Sequence, residues 1–416
     1  MKNYYIFFTN NIHPIGGQQL YTLGKADFLE KQGWEVIVFN PSHPTGKCGF
    51  SGLDKYIKYG MVSLYCIPSE LPEFVRNTII RRLIRNCRIE KDAQEIFVES
   101  QYTQGSLWAE LFAEKLNAKH IIFDVSEKFR GDAYYYEELI EFYKYKFKRK
   151  ELYGISETSV KRLFDGFDIE MPDGQQFYFN AVEPEAVQDI HNAKIDLLKR
   201  LDYNIMYIGR GEKGYVPNII KGVARFAKSN IEKSISFIVI GGMESRAYEM
   251  QELRECSNVT VNILGEMVPI PREIFGYADV VIAGAGCARL SSDEGIKTII
   301  MDANTYNAVG VYGYDTKSVF FAEDCGQKQT CDYYLNKLLV DREYDNRECN
   351  LPEGKDLQKE IIHQLSFFEE DDSISEYYDV SKCIIKRKIS KKKKMKCILS
   401  DIKSFLLRRN RIGMKK

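Results

Sequence analysis

The stretch Ala278–Ala303 holds the residues best suited to chemistry. An apolar run, Val280–Ala283, leads into Gly284-Ala285-Gly286, a helix is expected from Ala288 to Glu294, and Gly295 is its natural stop. A second apolar run, Thr298–Met301, completes a strand–loop–helix–strand unit. Glycine lets the backbone approach a ligand closely, and the first turn of a helix offers N–H donors without partners. Gly284, Gly286, Cys287 and Ala288 thus frame a place for a diphosphate. The same glycines would also serve a plain turn, and Gly-x-Gly alone does not separate the two. A comparable opening lies at the N-terminus. Strand Tyr4–Thr9 runs into a loop ending in Gly16-Gly17, and a helix fits Gln18–Lys31. This is compatible with nucleotide binding, although the Gly-x-Gly-x-x-Gly spacing is absent.

These loops need a frame. The chain of 416 residues is long enough for two domains, and its 44% hydrophobic and 28% charged residues are those of a soluble globular protein. Further strands are expected at Glu35–Asn40, Val62–Ile67, Ile96–Glu99, His120–Val125, Leu152–Ile155 and Phe177–Phe179, with helices between them. Residues 41–60 read as a loop. Residues 183–203 are polar and read as a hinge. Beyond them come strand Asn204–Ile208, a helix over Val216–Lys228, strands Ile235–Ile240 and Val259–Ile263, a helix around Pro271–Tyr277 and the unit described above. The alternation implies an α/β protein: two Rossmann-like domains with parallel sheets covered on both faces, binding ligand across a cleft at the carboxyl ends of the strands. The expected limits are 1–182 for the first domain and 204–350 for the second. A helical segment follows over 351–380, crossing back, and a tail over 381–416.

Ten cysteines without a Cys-x-x-Cys pair, and five scattered histidines, point to reduced thiols in a cytosolic protein and not to zinc or a disulfide framework. The run Tyr4–Phe8 is too short for a signal peptide, and no apolar stretch approaches the roughly 20 residues of a membrane span.

The motifs, taken in order, resemble those of the GT-B fold glycosyltransferases, in particular the group that builds bacterial cell-surface polysaccharides. Pro14-Ile15-Gly16-Gly17 is followed by Gly33-Trp34-Glu35-Val36, where that family has Gly-His-Glu-Val. Ile122-Phe123-Asp124 sits where it has an apolar strand ending in His or Asp. Phe179-Asn180-Ala181-Val182 resembles its Pro-Asn-Gly-Val hinge. Tyr207-Ile208-Gly209-Arg210 with Lys213-Gly214 resembles its phosphate loop, and Ile238-Val239-Ile240-Gly241-Gly242 the strand that follows. The resemblance spans roughly residues 1–370. One departure matters: aligning Gly295 with the family's glycine puts Leu290 where a ribose-binding glutamate is common.

The resemblance implies transfer of a sugar from a nucleoside-diphosphate donor, with the nucleotide sugar as substrate and no cofactor or metal. Negative charge grows on the leaving β-phosphate, and fixed cations and N–H donors stabilise it. Arg210 offers a planar fork and Lys213 a mobile point charge, directly after an apolar strand; a solvated loop pair is the plainer alternative. Gly16 and Gly17 would bring N–H groups to the cleft. Asp124 and Glu127 are candidates for the carboxylate that deprotonates an acceptor hydroxyl if the reaction inverts the anomeric centre. His13, before the Gly-Gly loop, could contact acceptor or phosphate. Asp371-Asp372 belongs to an acidic run read as solvated surface.

The zero net charge hides an asymmetry. Residues 381–416 hold fifteen Lys/Arg and a single acid, Asp401. Met395, Ile398, Leu399, Ile402, Phe405 and Leu406 fall on one face of a basic helix, a pattern suited to an anionic bilayer surface. A nucleic-acid arm and a disordered tail are the rivals, but the body shows no nucleic-acid reader. The resemblance adds a lipid-linked or glycan acceptor, and so a cytoplasmic enzyme peripheral to the inner face of the plasma membrane. A non-catalytic GT-B partner subunit and a nucleotide-sugar epimerase of the same fold remain open.

Overall fold

The computed structural model describes residues 2–9, 16–41, 52–90, 93–125, 137–155, 157–164, 186–319, 328–352, 356–369, 376–383 and 390–413. The chain forms two compact units, one of Met1–Phe179 with Asp356–Lys416, the other of Asn180–Lys355.

Unit 1 contains β1 (Tyr4–Phe8), α1 (Gly17–Lys31), β2 (Glu35–Asn40), β3 (Ile57–Gly60), α2 (Glu73–Cys87), β4 (Ile96–Ser100), α3 (Thr103–Leu116), β5 (Lys119–Asp124), α4 (Glu137–Lys148), β6 (Leu152–Gly154) and α5 (Glu157–Leu163). Unit 2 contains β7 (Val187–Gln188), β8 (Tyr203–Ile208), α6 (Val216–Ser229), β9 (Ile235–Ile240), α7 (Ala247–Arg254), β10 (Val259–Gly265), β11 (Ile270–Pro271), β12 (Val280–Ala283), α8 (Ala285–Asp293), β13 (Thr298–Met301), β14 (Ala308–Val311) and α9 (Cys331–Leu335). The chain then returns to unit 1 with α10 (Leu357–Glu369) and α11 (Lys391–Gly413).

Each unit is built on a six-stranded sheet. The orders are β3-β2-β1-β4-β5-β6 and β10-β9-β8-β12-β13-β14, parallel except for the antiparallel β13–β14 edge. The central strands are mostly apolar because both faces are covered, with Glu99 in β4, Asn204 in β8 and Ser236 in β9 as buried polar exceptions. In unit 2, Ile205, Tyr207, Phe237 and Ile282 pack under α6 and α9, while Met206, Ile208, Ile238 and Val281 pack under α8 and the 3-10 turn Arg272–Tyr277. Successive strand residues thus serve opposite layers. In unit 1, Ile6, Phe8, Ile37 and Phe39 share a core with α2 and α3.

The structure departs from the sequence expectations in several places. Val62–Tyr65 is a 3-10 turn and not a strand, because the Asp401 carboxylate accepts the N–H groups of Val62 (2.8 Å) and Ser63 (2.9 Å). The strand is β3, inside the stretch read as a loop. The 183–203 stretch, read as a hinge, is packed where described: β7 pairs with β11, and Val187, Ile195 and Leu198 are buried with Ile270 and Phe275. Ile190 and Leu197 of the same stretch stay exposed. Helix α11, finally, is not wholly free to lie on another surface. Cys397 and Ile398 pack into the unit 1 core, and Lys394 pairs with Glu70 at 2.8 Å.

Phe177–Phe179, Asn180-Ala181-Val182 and Asp371-Asp372 lie outside the described residues. Among the described residues no helix is long and apolar enough to cross a membrane. Among them, too, no three His, Cys, Asp or Glu side chains gather as metal ligands.

Candidate functional site

In unit 2, β8 and β12 are neighbours at the point where the strand order reverses. From β8 the chain crosses to β9 on one side; from β12 it crosses to β13 on the other. Right-handed crossovers in opposite directions put α6 and α8 on opposite faces, so the loops after β8 and β12 diverge and leave a crevice at the carboxyl ends of the strands. These are the loop Gly209–Gly214 and Gly284, which leads into the first turn of α8. The two stretches singled out from sequence therefore flank one crevice although some 70 residues of chain separate them.

The Gly209–Gly214 loop is held from behind. The N–H groups of Gly209 and Gly211 donate to the carbonyls of Ile240 and Gly242, each at 3.0 Å. The approach is close enough to demand glycine. A Cβ on Gly241, whose φ is +138°, would lie 1.9 Å from the Gly209 carbonyl oxygen, and one on Gly211 would lie 2.3 Å from that of Gly242. The Tyr207 hydroxyl donates to the Arg210 carbonyl at 3.0 Å. Arg246, just before α7, donates from Nε to the Gly211 carbonyl (2.7 Å) and from Nη2 to that of Lys213 (3.3 Å), while Nη1 meets Glu249. The carbonyls of Arg210, Gly211 and Lys213 are thus occupied by neighbouring donors.

Arg210 is half-exposed and pairs with Glu212 at 3.4 Å. Burial holds the Lys213 ammonium down, at about 8, with a small opposing effect from Cys287. Burial pushes the Cys287 thiol up, and Lys213 and then Arg210 draw it back. Both cations therefore act on the first turn of α8. The Ala285 N–H donates to the Val319 carbonyl at 3.0 Å, whereas the N–H groups of Gly286 and Cys287 have no partner within the helix. Gly286 is exposed, with no atom within 4 Å of where a Cβ would stand. Ala288 is buried and anchors the turn in the core. The Tyr215 hydroxyl closes the back of the site, 3.0 Å from the Cβ position of Gly284. Two cations and a helix N-terminus facing one crevice form an arrangement for a phosphate or diphosphate. Leu290 is buried in the unit 2 core and offers no polar group.

In unit 1, Gly16 caps α1, and its carbonyl accepts from Gln19 and Leu20. Gly17 is exposed. Asp124 ends β5 and is buried. His13 and Glu127 lie outside the described residues. Sequence reasoning missed a polar cluster in unit 1. Glu99, in β4, accepts from Tyr5 (2.7 Å), Lys25 (2.8 Å) and Gln101 (2.8 Å), and Lys25 also donates to Gln364 of α10. Gln18 extends the chain of bonds outward to Gln101 and Thr9, both at 3.1 Å. The available signal was a carboxylate directly after the apolar run Ile96–Val98, in the same strand, and a lysine on the core side of a helix.

A second cluster has the connectivity of a serine–histidine–carboxylate triad. Ser100 Oγ is 2.9 Å from His120 Nε2, and His120 Nδ1 is 2.6 Å from Glu110. All three are sealed from solvent, and Lys146 pairs with Glu110 at 2.5 Å. Its role is therefore structural.

No family model and no curated protein matches the chain. Solved structures do. HepE from Anabaena in complex with UDP aligns with a TM-score of 0.55 at 11% identity, over 88% of this chain and 100% of that one. A glycosyltransferase from Rickettsia africae aligns with a TM-score of 0.51 at 14% identity, over 98% and 97%. The UDP-GlcNAc 2-epimerase of Neisseria meningitidis bound to UDP-GlcNAc gives a TM-score of 0.50 at 9% identity, over 88% and 100%. Shared architecture at such low identity, with two Rossmann-like sheets in tandem, identifies the fold of this chain as GT-B.

Proposed function

We propose that the protein is a glycosyltransferase that moves a sugar from a nucleoside-diphosphate donor to a lipid-linked glycan in cell-surface polysaccharide biosynthesis. The observation that carries this reading is the placement of the Gly209–Gly214 loop, which bears Arg210 and Lys213, and of the first turn of α8 at the strand-order reversal. The acceptor oxygen attacks carbon one of the sugar, the bond to the β-phosphate oxygen breaks, and the electron pair leaves with the diphosphate. Arg210 and Lys213 meet the growing charge, helped by the amides at Gly286 and Cys287. Asp124 takes the acceptor proton in an inverting reaction; in a retaining one the departing phosphate takes it. UDP is the first nucleotide to test, because HepE and the Neisseria enzyme were solved with UDP and UDP-GlcNAc. The basic helix α11 supports residence at the inner face of the plasma membrane, where a lipid-linked acceptor is found.

Leu290 favours a second reading, a GT-B subunit without catalysis. Similarity to 2-epimerases supports a third. Incubating the protein with nucleotide sugars, with and without lipid-linked acceptor, separates them. A transferase releases nucleoside diphosphate only with acceptor, an epimerase alters the sugar with donor alone, and the subunit does neither.

A further inference from the structure

Helix α11 has two faces with opposite chemistry. Lys394, Cys397 and Asp401, at helical spacing, turn toward unit 1. Its one acid is consumed there: the Asp401 carboxylate is buried on the Val62 and Ser63 amides. The body's nearby acid, Glu70, is likewise buried against Lys394. Met395, Leu399 and Ile402 turn outward and are 54%, 56% and 47% exposed. Lys391, Lys392, Lys393, Lys396 and Lys403 are exposed around them.

The adjoining helix α2 repeats the pattern. Arg82 Nη2 of α2 reaches the Asp401 carbonyl at 3.5 Å, so the two helices meet at that point. The ridge of α2 turned to solvent carries Phe74, 73% exposed, then Thr78, Arg81 and Arg85, and Arg88 follows the helix end. Tyr65, also partly exposed, interacts with Cys397 where the 3-10 turn meets α11. Two exposed acids border α2: Glu73, bonded to Asn77, and Glu90, paired with Lys2. A helix is about 10 Å across, so neighbouring ridges fall within one lipid headgroup layer.

Resting on the membrane association proposed above, we infer that α2 and α11 form one composite surface for an anionic phospholipid bilayer. The lysines and arginines meet the headgroups, and Phe74, Met395, Leu399 and Ile402 enter the acyl boundary. Large apolar side chains set among the cations fit a bilayer better than a phosphate backbone, which offers them nothing to bury against. Because the inner face of α11 is built into unit 1, the membrane would hold the folded domain in a fixed attitude and not through a loose tether.

Flotation of the full chain tests this, using phosphatidylcholine vesicles with and without phosphatidylglycerol at 0.15 M salt. Removing residues 381–416 would uncover the core around Val62, so outward side chains are changed instead. One variant carries Arg81→Gln, Arg85→Gln, Arg88→Gln and Phe74→Ser; the other carries Met395→Ser, Leu399→Ser and Ile402→Ser. The wild type floats only with anionic vesicles, and each variant loses about tenfold or more in partitioning, with an unchanged unfolding temperature. An α2 variant that floats like the wild type overturns the composite surface and leaves α11 as the membrane element. A wild type that fails to float overturns the membrane reading as a whole. Binding to polyuridylate without flotation also overturns it and assigns the surface to nucleic acid.

Discussion

Arg246 donates its Nε–H to the carbonyl oxygen of Gly211 at 2.7 Å and so fixes the loop that carries Arg210 and Lys213. A charged donor satisfying a neutral acceptor contributes about 1.5–3 kcal/mol, and here the same guanidinium also holds Lys213. Arg246→Ala is expected to weaken UDP binding at least about tenfold with a small change in unfolding temperature. Arg246→Lys should recover part of the loss. Calorimetric titration checks this; equal affinities in all three forms would remove Arg246 from any positioning role.

Lys213 sets a pH dependence. Its ammonium is held at about 8 by burial, so it is charged at pH 7 and loses its proton as pH rises through that value. Affinity for UDP should therefore fall several-fold between pH 7 and about 9, since the charged form binds phosphate. Lys213→Arg should flatten the profile, because guanidinium stays protonated. Dissociation constants measured across that range are the check, and a steep profile in the arginine variant would point to another group.

The buried pair Lys25–Glu99 makes a separate claim about stability. Both side chains are 0% exposed. Glu99→Gln leaves a buried ammonium without its counter-charge and should cost about 3 kcal/mol or more; Lys25→Met with Glu99→Leu should recover much of it. Urea unfolding of the single and double variants measures the difference.

Glu110 predicts acid sensitivity. Burial pushes its carboxyl up, but Lys146 and His120 outweigh burial and bring it to about 2. The folded value lies below the unfolded one, so the contribution is fully present above about pH 4.5 and is lost as pH falls toward 2. The urea midpoint should drop between pH 5 and 3 by less in Glu110→Gln than in the wild type.

The sheet of unit 2 was legible because its strands are predominantly apolar and spaced by helices, as at Ile235–Ile240 and Val280–Ala283. The loops after β8 and β12 were legible because glycine there answers a steric demand, at Gly211 for instance. What local patterning could not show was decided at long range. Asp401 shapes Val62–Tyr65 from the far end of the chain. Glu99 becomes a buried hub only when Lys25 and Gln364 arrive from other elements. Arg246 lies in a polar run with no motif, and its value comes from reaching back to Gly211. The apolar spacing of α11 was read as one face, but Ile398 packs into unit 1 while Met395 and Leu399 remain outside. Helix α8 starts at Ala285 and not Ala288, with Ala285 itself at φ +55°, a turn more readily expected of glycine.

The most direct measurement is a calorimetric titration of UDP and GDP into the wild type and into Arg210→Ala combined with Lys213→Ala. Saturable one-to-one binding of one nucleotide to the wild type, and none to the double variant of equal unfolding temperature, is the expected result. Binding retained in the double variant, or no binding of either nucleotide to the wild type, would contradict a donor-diphosphate site between the loops after β8 and β12.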